Sequence, residues 1–446
     1  VWISAMIRRS PTSSSAMRSS LSIGAACMLS VLVFSMIILQ SSNLLSMSLS
    51  RGSAAKGRVS PKYIAPSKFF VGGQGASSSF TKRVGYEGSS ARCQSVGVDT
   101  VEAEKALEKV AGKSLLKCQP IGSGSAAPID RITNMDLEKQ VNTSDEWIAQ
   151  RTGISSRHVL TGTERLSTLG AQAAENALQN AGVSGEDIDL VIVATSSPDD
   201  LFGDATSVAH QIGAKNAVAF DLTAACSGFM FGMITAGQYL DTGFAKNAVV
   251  VGADALSRWV DWNDRNSCIL FGDGAGAVVM RSVSESSKAG MLGFAMHSDG
   301  AKQEHLALPF DGEKQTLESG HQPSKGGYSP ITMNGKEVYK FATSEVPRVI
   351  NEALANAGMT AGDIDHLLLH QANIRIMEVV AKKLGLSMDQ VITNIDEYGN
   401  TSAGSMPLAL DEAVRSGRVK NGDVIAFAGF GAGLSWGASI VRWGDA

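Results

Sequence analysis

The sequence predicts an α/β protein made of two copies of one unit, each with a mixed, mainly parallel sheet packed between helices. Residues 177 to 196 and 353 to 372 align without gaps and are identical at eight of twenty positions. A second match pairs residues 242 to 252 with residues 416 to 426. In each copy a helix is followed by an apolar strand, the order of alternating α/β units. Such halves stack in layers, with a site at the interface between them.

Each copy carries the same local signals. The helices end at Gly182 and Gly358, because glycine tolerates the left-handed backbone that terminates a helix. The short apolar runs Leu190 to Ala194 and Leu367 to Leu369 have the length and composition of buried strands. His370 directly follows the second of these strands.

Charge and composition separate a leader from the rest of the 446 residues. Residues 1 to 98 contain eleven Lys or Arg and one acidic residue, a balance of +10, whereas residues 99 to 446 carry −14. The leader is also rich in Ser and lacks a sustained amphipathic pattern, as removed targeting segments do. We predict a leader over residues 1 to 110, signal-like over 1 to 50 and transit-like over 51 to 110, followed by two halves over residues 114 to 286 and 287 to 446.

One stretch of the leader leaves two interpretations open. Residues 21 to 40 are uncharged and approach the ~20 apolar residues that span a bilayer, which fits a retained membrane anchor. Arg8, Arg9 and Arg18 precede this run and an acid-poor, Arg- and Ser-rich stretch follows it, which favours a cleaved signal. On the second interpretation the leader is removed and the mature protein has no membrane segment.

Cys226 is the candidate nucleophile. It lies between an apolar run typical of a buried strand, residues 217 to 222, and a helical pattern that places Phe229, Met233 and Ala236 on one face. At a helix N-terminus, unpaired N–H groups and the helix dipole lower the pKa of a thiol below its free value of about 8.5. The alternative is a buried structural cysteine, the common role of a single Cys.

The internal repeat connects Cys226 with two further polar residues. Applying the 174-residue offset of the downstream match to Cys226 gives Asn400, in a small, polar stretch typical of a helix start. If the halves are related by a pseudo-two-fold axis, Cys226 and Asn400 precede equivalent helices. Because His370 ends a strand of the second half, we expect the three residues to converge.

The remaining composition argues against several kinds of site. The five cysteines form no CxxC pair and the seven histidines show no metal-ligand spacing, so we predict neither a disulfide framework nor a metal site. Outside the leader no basic block with interleaved aromatics occurs, which argues against nucleic-acid binding.

Six motifs together resemble those of the β-ketoacyl-acyl-carrier-protein synthase III family, condensing enzymes with a thiolase-like fold. They are TSDEWIAQRTGI (143 to 154), LTAACSGF (222 to 229), FGDGAGA (271 to 277), HQANIRI (370 to 376), YGNTSAGS (398 to 405) and GFGAGLSWG (429 to 437). The resemblance implies α-β-α-β-α layering. It also implies the initiating condensation of type II fatty-acid synthesis, in which acetyl-CoA and malonyl-acyl-carrier protein give acetoacetyl-acyl-carrier protein, CoA and CO2.

The resemblance further implies a role for each candidate. Cys226 takes the acetyl group in a ping-pong reaction, and His370 and Asn400 donate hydrogen bonds to the malonyl thioester oxygen as CO2 leaves. The N–H groups of Cys226 and Ala432 form the oxyanion hole; the family often has Gly at position 432, but the donor is a backbone N–H. No cofactor is implied, because coenzyme A enters as a thioester substrate.

Other residues match the family's binding positions. Trp147 and Arg151 are four residues apart on one helix and resemble an adenine clamp, although a structural helix start with a capping box of Thr143 and Glu146 is the alternative. The implied coenzyme A contacts are Thr143, Trp147, Arg151, Arg265 and Asn373. The implied acyl-carrier-protein contacts are Lys340, Arg375, Lys382 and Lys383, for which an ordinary solvated face is the alternative. The implied acyl-pocket residues are Phe430 and Phe202, the latter reaching across a homodimer interface.

Two other functions stay open. A type III polyketide synthase also uses Cys, His and Asn in this fold, and it would take malonyl from coenzyme A and not from a carrier protein. With residues 21 to 40 retained, the chain would be a membrane-tethered, non-catalytic interaction protein. The two-part leader resembles those of algae whose plastids lie inside additional membranes, so we expect the mature enzyme in the plastid stroma.

Overall fold

The computed structural model describes residues 115 to 444, and the predicted leader lies outside this range. The strands are β1 (Cys118–Ala126), β2 (Arg131–Thr133), β3 (Ser156–His158), β4 (Leu190–Ala194), β5 (Val218–Leu222), β6 (Asn247–Ala255), β7 (Asp273–Ser282), β8 (Gly290–Ser298), β9 (Leu306–Ala307), β10 (Glu313–Lys314), β11 (Ser324–Lys325), β12 (Thr332–Met333), β13 (His366–Leu369), β14 (Val391–Ile392), β15 (Val424–Gly431) and β16 (Ser435–Arg442).

The α-helices are α1 (Asn134–Leu137), α2 (Asp145–Thr152), α3 (Leu166–Ala181), α4 (Ala205–Gln211), α5 (Gly228–Asp241), α6 (Arg265–Cys268), α7 (Gly335–Asn356), α8 (Ile374–Leu384), α9 (Ile395–Tyr398) and α10 (Ser405–Arg415). Short 3₁₀ helices cover Gly185–Asp187, Ala225–Ser227, Leu256–Trp259, Gly300–His305, Ala361–Asp363, Met388–Gln390 and Ser402–Gly404. Between residues 115 and 444 no helix has the length and apolar character needed to cross a membrane.

Two five-stranded sheets form the framework. The first has the order β1-β7-β6-β4-β5 and the second the order β14-β13-β15-β16-β8. In the first sheet β4 pairs in parallel with β5 and β6, and in the second β13 pairs in parallel with β14 and β15. The other pairings are antiparallel, because β7 returns along β6 and β16 returns along β15. The α/β class is confirmed, with sheets that are equally mixed and not mainly parallel.

Three buried apolar cores hold five layers of structure together, because the middle core packs on both sides of the central helices. The first core lies between α3, α4 and the outer face of the first sheet, where Val249 and Val251 of β6 are buried. The middle core contains Val250 of the same strand together with Phe229 of α5 and Leu410 of α10. The third core lies between the second sheet and α7 and α8. Successive residues of β6 thus enter different cores, as the two-residue period of a strand requires.

The two halves repeat the same elements, with one correction to the predicted register. Gly182 and Gly358 both have left-handed φ values, 64° and 65°, after α3 and α7. α5 has 14 residues and α10 has 11, so an offset of 174 relates the ends of these helices and an offset of 177 relates their starts. The residue that corresponds to Cys226 is therefore Ala403 and not Asn400.

Glycines let the turn before α10 approach the first sheet closely. A Cβ at Gly252 of β6 would lie 2.2 Å from the Ala403 oxygen, and one at Gly404 would lie 2.4 Å from the Gly274 oxygen of β7. The backbones can pack at these distances because glycine has no side chain. The position of the Ser402–Gly404 turn is consequently fixed by β6 and β7.

Candidate active site

Cys226, His370 and Asn400 converge on one cavity of about 120 Å³. Cys226 lies in the turn before α5, His370 directly follows β13, and Asn400 precedes the Ser402–Gly404 turn. Most of the remaining lining is apolar and includes Leu270, Phe271, Leu306, Met333, Ile376 and Phe430. The structure thus brings the three polar residues together in a largely apolar pocket.

The Cys226 thiol is buried at an unusual turn. The residue is 5% exposed, and Ala225 before it has a left-handed φ of 47°, which is uncommon for a residue with a Cβ. Burial raises the pKa of the thiol to about 12, although a hydrogen bond from Ser402 opposes this rise. The predicted lowering of this pKa is therefore wrong, because desolvation outweighs the helix start, which begins two residues later at Gly228.

His370 is a neutral imidazole whose orientation is fixed by Ser405. Burial lowers the pKa of the ring to about 3. Nδ1 lies 2.7 Å from Ser405 Oγ, which also accepts the Gln371 N–H at 3.3 Å. We assign the Ser405 hydroxyl proton to the bond with Nδ1, which places the ring hydrogen on Nε2. The ring packs edge-on against Phe430, with 5.5 Å between the ring centroids.

The Asn400 side chain is held so that its amino group remains as a donor. The Asn400 backbone N–H donates to the Leu270 backbone oxygen at 2.9 Å, and the Asn400 backbone oxygen accepts the Gly272 N–H at 3.0 Å. Asn400 Oδ1 accepts the Ser402 N–H at 2.9 Å, which leaves Nδ2 to donate into the cavity. Together with His370 Nε2, this group gives two neutral donors beside a buried thiol, which suits a substrate oxygen that gains negative charge.

The turn between β15 and β16 forms another wall of the site. A Cβ at Gly431 would lie 2.7 Å from the Cys226 nitrogen, so glycine allows the hairpin to reach the nucleophile turn. Ser435 Oγ bonds to Ser227 Oγ at 2.8 Å and to the Ala432 oxygen at 3.3 Å. The turn therefore comes close to Cys226, and the oxyanion hole formed by the N–H groups of Cys226 and Ala432 stays a prediction.

The residues of the predicted adenine clamp lie together, with two arginine side chains stacked on the indole. The guanidinium carbons of Arg151 and Arg265 lie 4.8 Å and 4.7 Å from the centroid of the Trp147 ring, within cation–π range. Arg265 is also anchored by a 2.8 Å hydrogen bond to the Asn142 oxygen. A purine that stacks on Trp147 would take the place of one guanidinium.

Thr143 does not cap helix α2, contrary to the capping-box interpretation. The N-cap of α2 is Ser144, whose Oγ accepts the Trp147 N–H at 3.2 Å, so the capping box of Thr143 and Glu146 is wrong. Thr143 Oγ1 is buried without a hydrogen-bond partner among residues 115 to 444. An unpaired buried hydroxyl costs about 1 to 3 kcal/mol, which a ligand that bonds it would offset.

Asn373 and Arg375 tie the start of α8 to the end of α2. Asn373 Nδ2 donates to the Arg151 oxygen at 3.0 Å, and its Oδ1 accepts the Arg375 N–H at 2.9 Å. Arg375 Nη2 donates to the Gln150 oxygen at 2.7 Å. Asn373 lines the cavity, but both polar ends of its side chain are engaged.

The three lysines predicted to contact the carrier protein differ in whether their ammonium groups already bind another residue. Lys383 Nζ donates to the Thr343 oxygen at 2.8 Å, and Lys340 lies 3.8 Å from a Glu337 carboxylate oxygen. The side-chain ammonium of Lys382 forms no hydrogen bond or ion pair with any residue from 115 to 444. Of these three lysines, Lys382 is the least constrained for contact with an acidic partner.

The two predicted acyl-pocket residues lie in different environments. Phe430 is 5% exposed and lines the cavity beside His370. Phe202 is 99% exposed and Leu201 is 82% exposed, on the loop before α4, and neither side chain lines the cavity. Within one chain, Phe202 therefore contributes nothing to the pocket.

Sequence reasoning missed four residues that shape the site. Ser405 orients His370, Ser402 Oγ lies 3.3 Å from Cys226 Sγ, and Tyr339 lines the cavity. Arg157 is fully buried and donates to the Ile269 oxygen at 2.7 Å, next to the segment that holds Asn400. The two serines belong to YGNTSAGS, so that motif contained their signal. Arg157 had none, because a lone arginine normally indicates a surface position.

Comparisons with known proteins agree with the family that the six sequence motifs resemble. A family model described as 3-Oxoacyl-[acyl-carrier-protein (ACP)] synthase III matches residues 220 to 300, and one described as its C terminal matches residues 354 to 443. The chain is 57% identical over 324 residues to a Beta-ketoacyl-[acyl-carrier-protein] synthase III of Microcystis aeruginosa, and 54% identical over 323 residues to one of Trichormus variabilis. These matches cover 73% and 72% of this chain and 97% of each relative. The fold resembles a crystal structure of 3-oxoacyl-[acyl-carrier-protein] synthase III from Aquifex aeolicus with a TM-score of 0.67 and 41% identity, covering 73% of this chain and 100% of that one.

Proposed function

Because this chain belongs to the beta-ketoacyl-[acyl-carrier-protein] synthase III family, we propose that it joins acetyl-CoA and malonyl-acyl-carrier protein through an acyl-Cys226 intermediate. It is a condensing acyltransferase that initiates fatty-acid synthesis. The observation that carries the proposed mechanism is the convergence of a buried thiol and two neutral N–H donors, His370 Nε2 and Asn400 Nδ2, on one cavity.

In the first half-reaction Cys226 takes the acetyl group. The thiol loses its proton, the sulfur attacks the acetyl carbonyl carbon, and the carbonyl oxygen gains negative charge as a tetrahedral intermediate forms. The N–H groups of Cys226 and Ala432 would donate to that oxygen. The bond from carbon to the coenzyme A sulfur then breaks, and coenzyme A leaves as a thiol with the proton.

In the second half-reaction malonyl-acyl-carrier protein enters the same cavity. As the bond to the carboxylate breaks and CO2 leaves, its electron pair moves toward the thioester oxygen, where His370 Nε2 and Asn400 Nδ2 donate hydrogen bonds. The resulting carbanion attacks the acetyl-Cys226 carbonyl carbon. The Cys226 sulfur leaves as a thiolate and takes up a proton from solvent, and acetoacetyl-acyl-carrier protein is released.

We propose that α2, with Thr143 before it, binds the nucleotide end of coenzyme A. Trp147 offers a stacking surface, Arg151 and Arg265 offer positive charge beside it, and Thr143 Oγ1 is a buried hydroxyl that lacks a partner among the described residues. Asn373 lines the cavity and would contact the pantetheine arm. The arrangement suits a ligand with a purine and phosphates at one end and a thioester at the other.

The proposed contact surface for the acidic carrier protein consists of Lys340, Lys382 and Lys383, with Arg375 at its edge. Lys382 provides the free charge, whereas Arg375 and Lys383 are partly committed to backbone oxygens. Electrostatic attraction to a negatively charged carrier would speed association and weaken with salt.

We propose a homodimer that forms along β5. β5 is the edge strand of the first sheet, paired only with β4 among the described strands, and Val218 in it is 48% exposed. Leu201 and Phe202 add exposed apolar surface on the loop before α4. A second copy that paired with β5 would cover this surface and bring Phe202 toward the neighbouring acyl pocket.

We also propose that residues 1 to 110 direct the protein to the plastid and are removed there. The support is the +10 charge of residues 1 to 98 and the uncharged run over residues 21 to 40. A fluorescent reporter fused to residues 1 to 110 should enter the plastid, and deletion of residues 21 to 40 should leave it in the cytosol. Entry of the deleted form would show that a simple transit peptide suffices.

The proposed activity is tested by supplying acetyl-CoA together with either malonyl-acyl-carrier protein or malonyl-CoA. We expect acetoacetyl-acyl-carrier protein and one CO2 per product from the first pair. Equal or faster condensation with malonyl-CoA, with triketide or longer products, would instead identify a polyketide synthase.

A further inference from the structure

The Cys226 sulfur has one side-chain hydrogen-bond partner among the described residues, the hydroxyl of Ser402. Ser402 Oγ donates to Cys226 Sγ at 3.3 Å, and Ser402 is only 2% exposed. The two residues lie in the corresponding turns before α5 and α10. In each turn a residue with a side chain is left-handed, Ala225 with a φ of 47° and Ser402 with a φ of 50°. Such backbone is unfavourable and persists where the surrounding structure imposes it.

The contacts of the second turn explain why the Ser402 hydroxyl is held at the sulfur. The Ser402 N–H donates to Asn400 Oδ1 at 2.9 Å, and the Ala403 N–H donates to Asp254 Oδ2 at 3.1 Å. Gly252 admits the Ala403 oxygen against β6. A backbone shift that moved the Ser402 hydroxyl away from the sulfur would disturb these three contacts.

A buried carboxyl group faces the same hydroxyl. Asp254 Oδ1 accepts hydrogen bonds from Thr195 Oγ1, Ser196 N and Ser197 Oγ at 3.1, 2.7 and 2.8 Å. Burial raises the pKa of Asp254, and a hydrogen bond from the Ser402 hydroxyl opposes that rise. The hydroxyl has one proton for two acceptors, the Asp254 carboxyl and the sulfur. A thiolate accepts more strongly than a thiol, so ionisation of Cys226 favours donation to the sulfur.

We propose that Ser402 is a positioning residue whose hydroxyl donates a hydrogen bond to the Cys226 thiolate and so supports acetyl transfer. The titratable groups that face the sulfur are Asp254 from β6 and His370 from the end of β13. A charged Asp254 would oppose a thiolate, and the neutral His370 offers no positive charge, so the hydroxyl is the side-chain donor in contact with the sulfur. The inference rests on the proposed role of Cys226 as the nucleophile.

The test is the rate at which iodoacetamide alkylates Cys226 in the full chain, with the modified cysteine identified by mass spectrometry. Ser402→Ala and Ser402→Gly both remove the hydroxyl, but only glycine also relieves the left-handed backbone. We expect both variants to react about threefold to tenfold more slowly between about pH 6 and about pH 9. The reason is a rise of about one unit in the pKa of the thiol, partly offset by the greater nucleophilicity of the more basic thiolate.

Ser439→Ala is the matched control, because it removes a buried hydroxyl that has no partner among the described residues and lies in β16. It should react at the wild-type rate. Wild-type rates in both Ser402 variants, or slowing in Ser402→Ala alone, would overturn the role of the hydroxyl; the second result would assign the effect to the backbone. If Ser402→Ala fails to fold, Ser402→Gly decides. Failure of the wild-type chain to be alkylated at Cys226 would instead overturn the proposed nucleophile.

Discussion

Removal of the Ser405 hydroxyl should separate decarboxylation from acetyl transfer. Ser405 Oγ lies 2.7 Å from His370 Nδ1, and both residues are buried. In Ser405→Ala the ring nitrogen loses this partner, and the ring hydrogen is free to move from Nε2, which serves the cavity, to Nδ1. A buried hydrogen bond of this kind is worth about 1 to 2 kcal/mol, so decarboxylation of the malonyl thioester should fall about 5-fold to 30-fold.

The assay measures the two half-reactions separately. Release of labelled CO2 from malonyl-acyl-carrier protein reports decarboxylation, and the mass of the protein after exposure to acetyl-CoA reports acetyl transfer. Ser405→Thr retains a hydroxyl and should keep most of the activity, and Ser439→Ala controls for loss of a buried hydroxyl elsewhere. Unchanged decarboxylation in folded Ser405→Ala would refute the assignment of the hydrogen to Nε2. Equal loss of both half-reactions would refute the separation.

Three further outcomes are expected. Asn400→Ala should still be acetylated but lose decarboxylation by about 10²-fold, the usual effect of removing one oxyanion donor; parallel loss of both steps would contradict this role. Lys382→Glu should weaken the use of malonyl-acyl-carrier protein and flatten the salt dependence of that reaction, while acetyl transfer from coenzyme A is spared. Arg375→Glu should impair both the reaction with the carrier protein and acetyl transfer, because Arg375 braces α2. Identical kinetics for the two variants would argue against different roles for Lys382 and Arg375. Burial lowers the pKa of His370 from 6.5 to about 3. Between these two pH values the unfolded chain binds a proton that the folded chain does not. The stability contributed by the neutral His370 is therefore complete above about pH 6.5 and is lost as the pH falls toward 3. The melting temperature of the wild type should therefore fall relative to that of His370→Gln with acidification, and parallel curves would contradict this.

The layered fold was predictable because its signals are local. The repeated helix–glycine–strand segments at Gly182 and Gly358 predict both halves, and each glycine has the left-handed backbone that its position required. The register between the halves was not predictable in full. α10 is three residues shorter than α5, and an ungapped offset carries no sign of that difference.

The site was predictable in its membership but not in its electrostatics. Cys226, His370 and Asn400 lie in motifs, and the structure brings them to one cavity. The pKa of Cys226 depends on burial by residues far away in the sequence, which the local helix start does not reveal. Arg375 shows the same limit, because its 2.7 Å bond to the Gln150 oxygen joins segments 225 residues apart.

Mass spectrometry of the protein after incubation with acetyl-CoA tests the proposed mechanism most directly. We expect one acetyl group on Cys226, lost in Cys226→Ala and retained in Cys268→Ala. Cys268 is a suitable control because its buried thiol lies in α6 and does not line the cavity. Addition of malonyl-acyl-carrier protein should then discharge the acetyl group with release of CO2. An acetyl group that persists in Cys226→Ala, or one that malonyl-acyl-carrier protein cannot discharge from the wild type, would contradict the acyl-Cys226 mechanism.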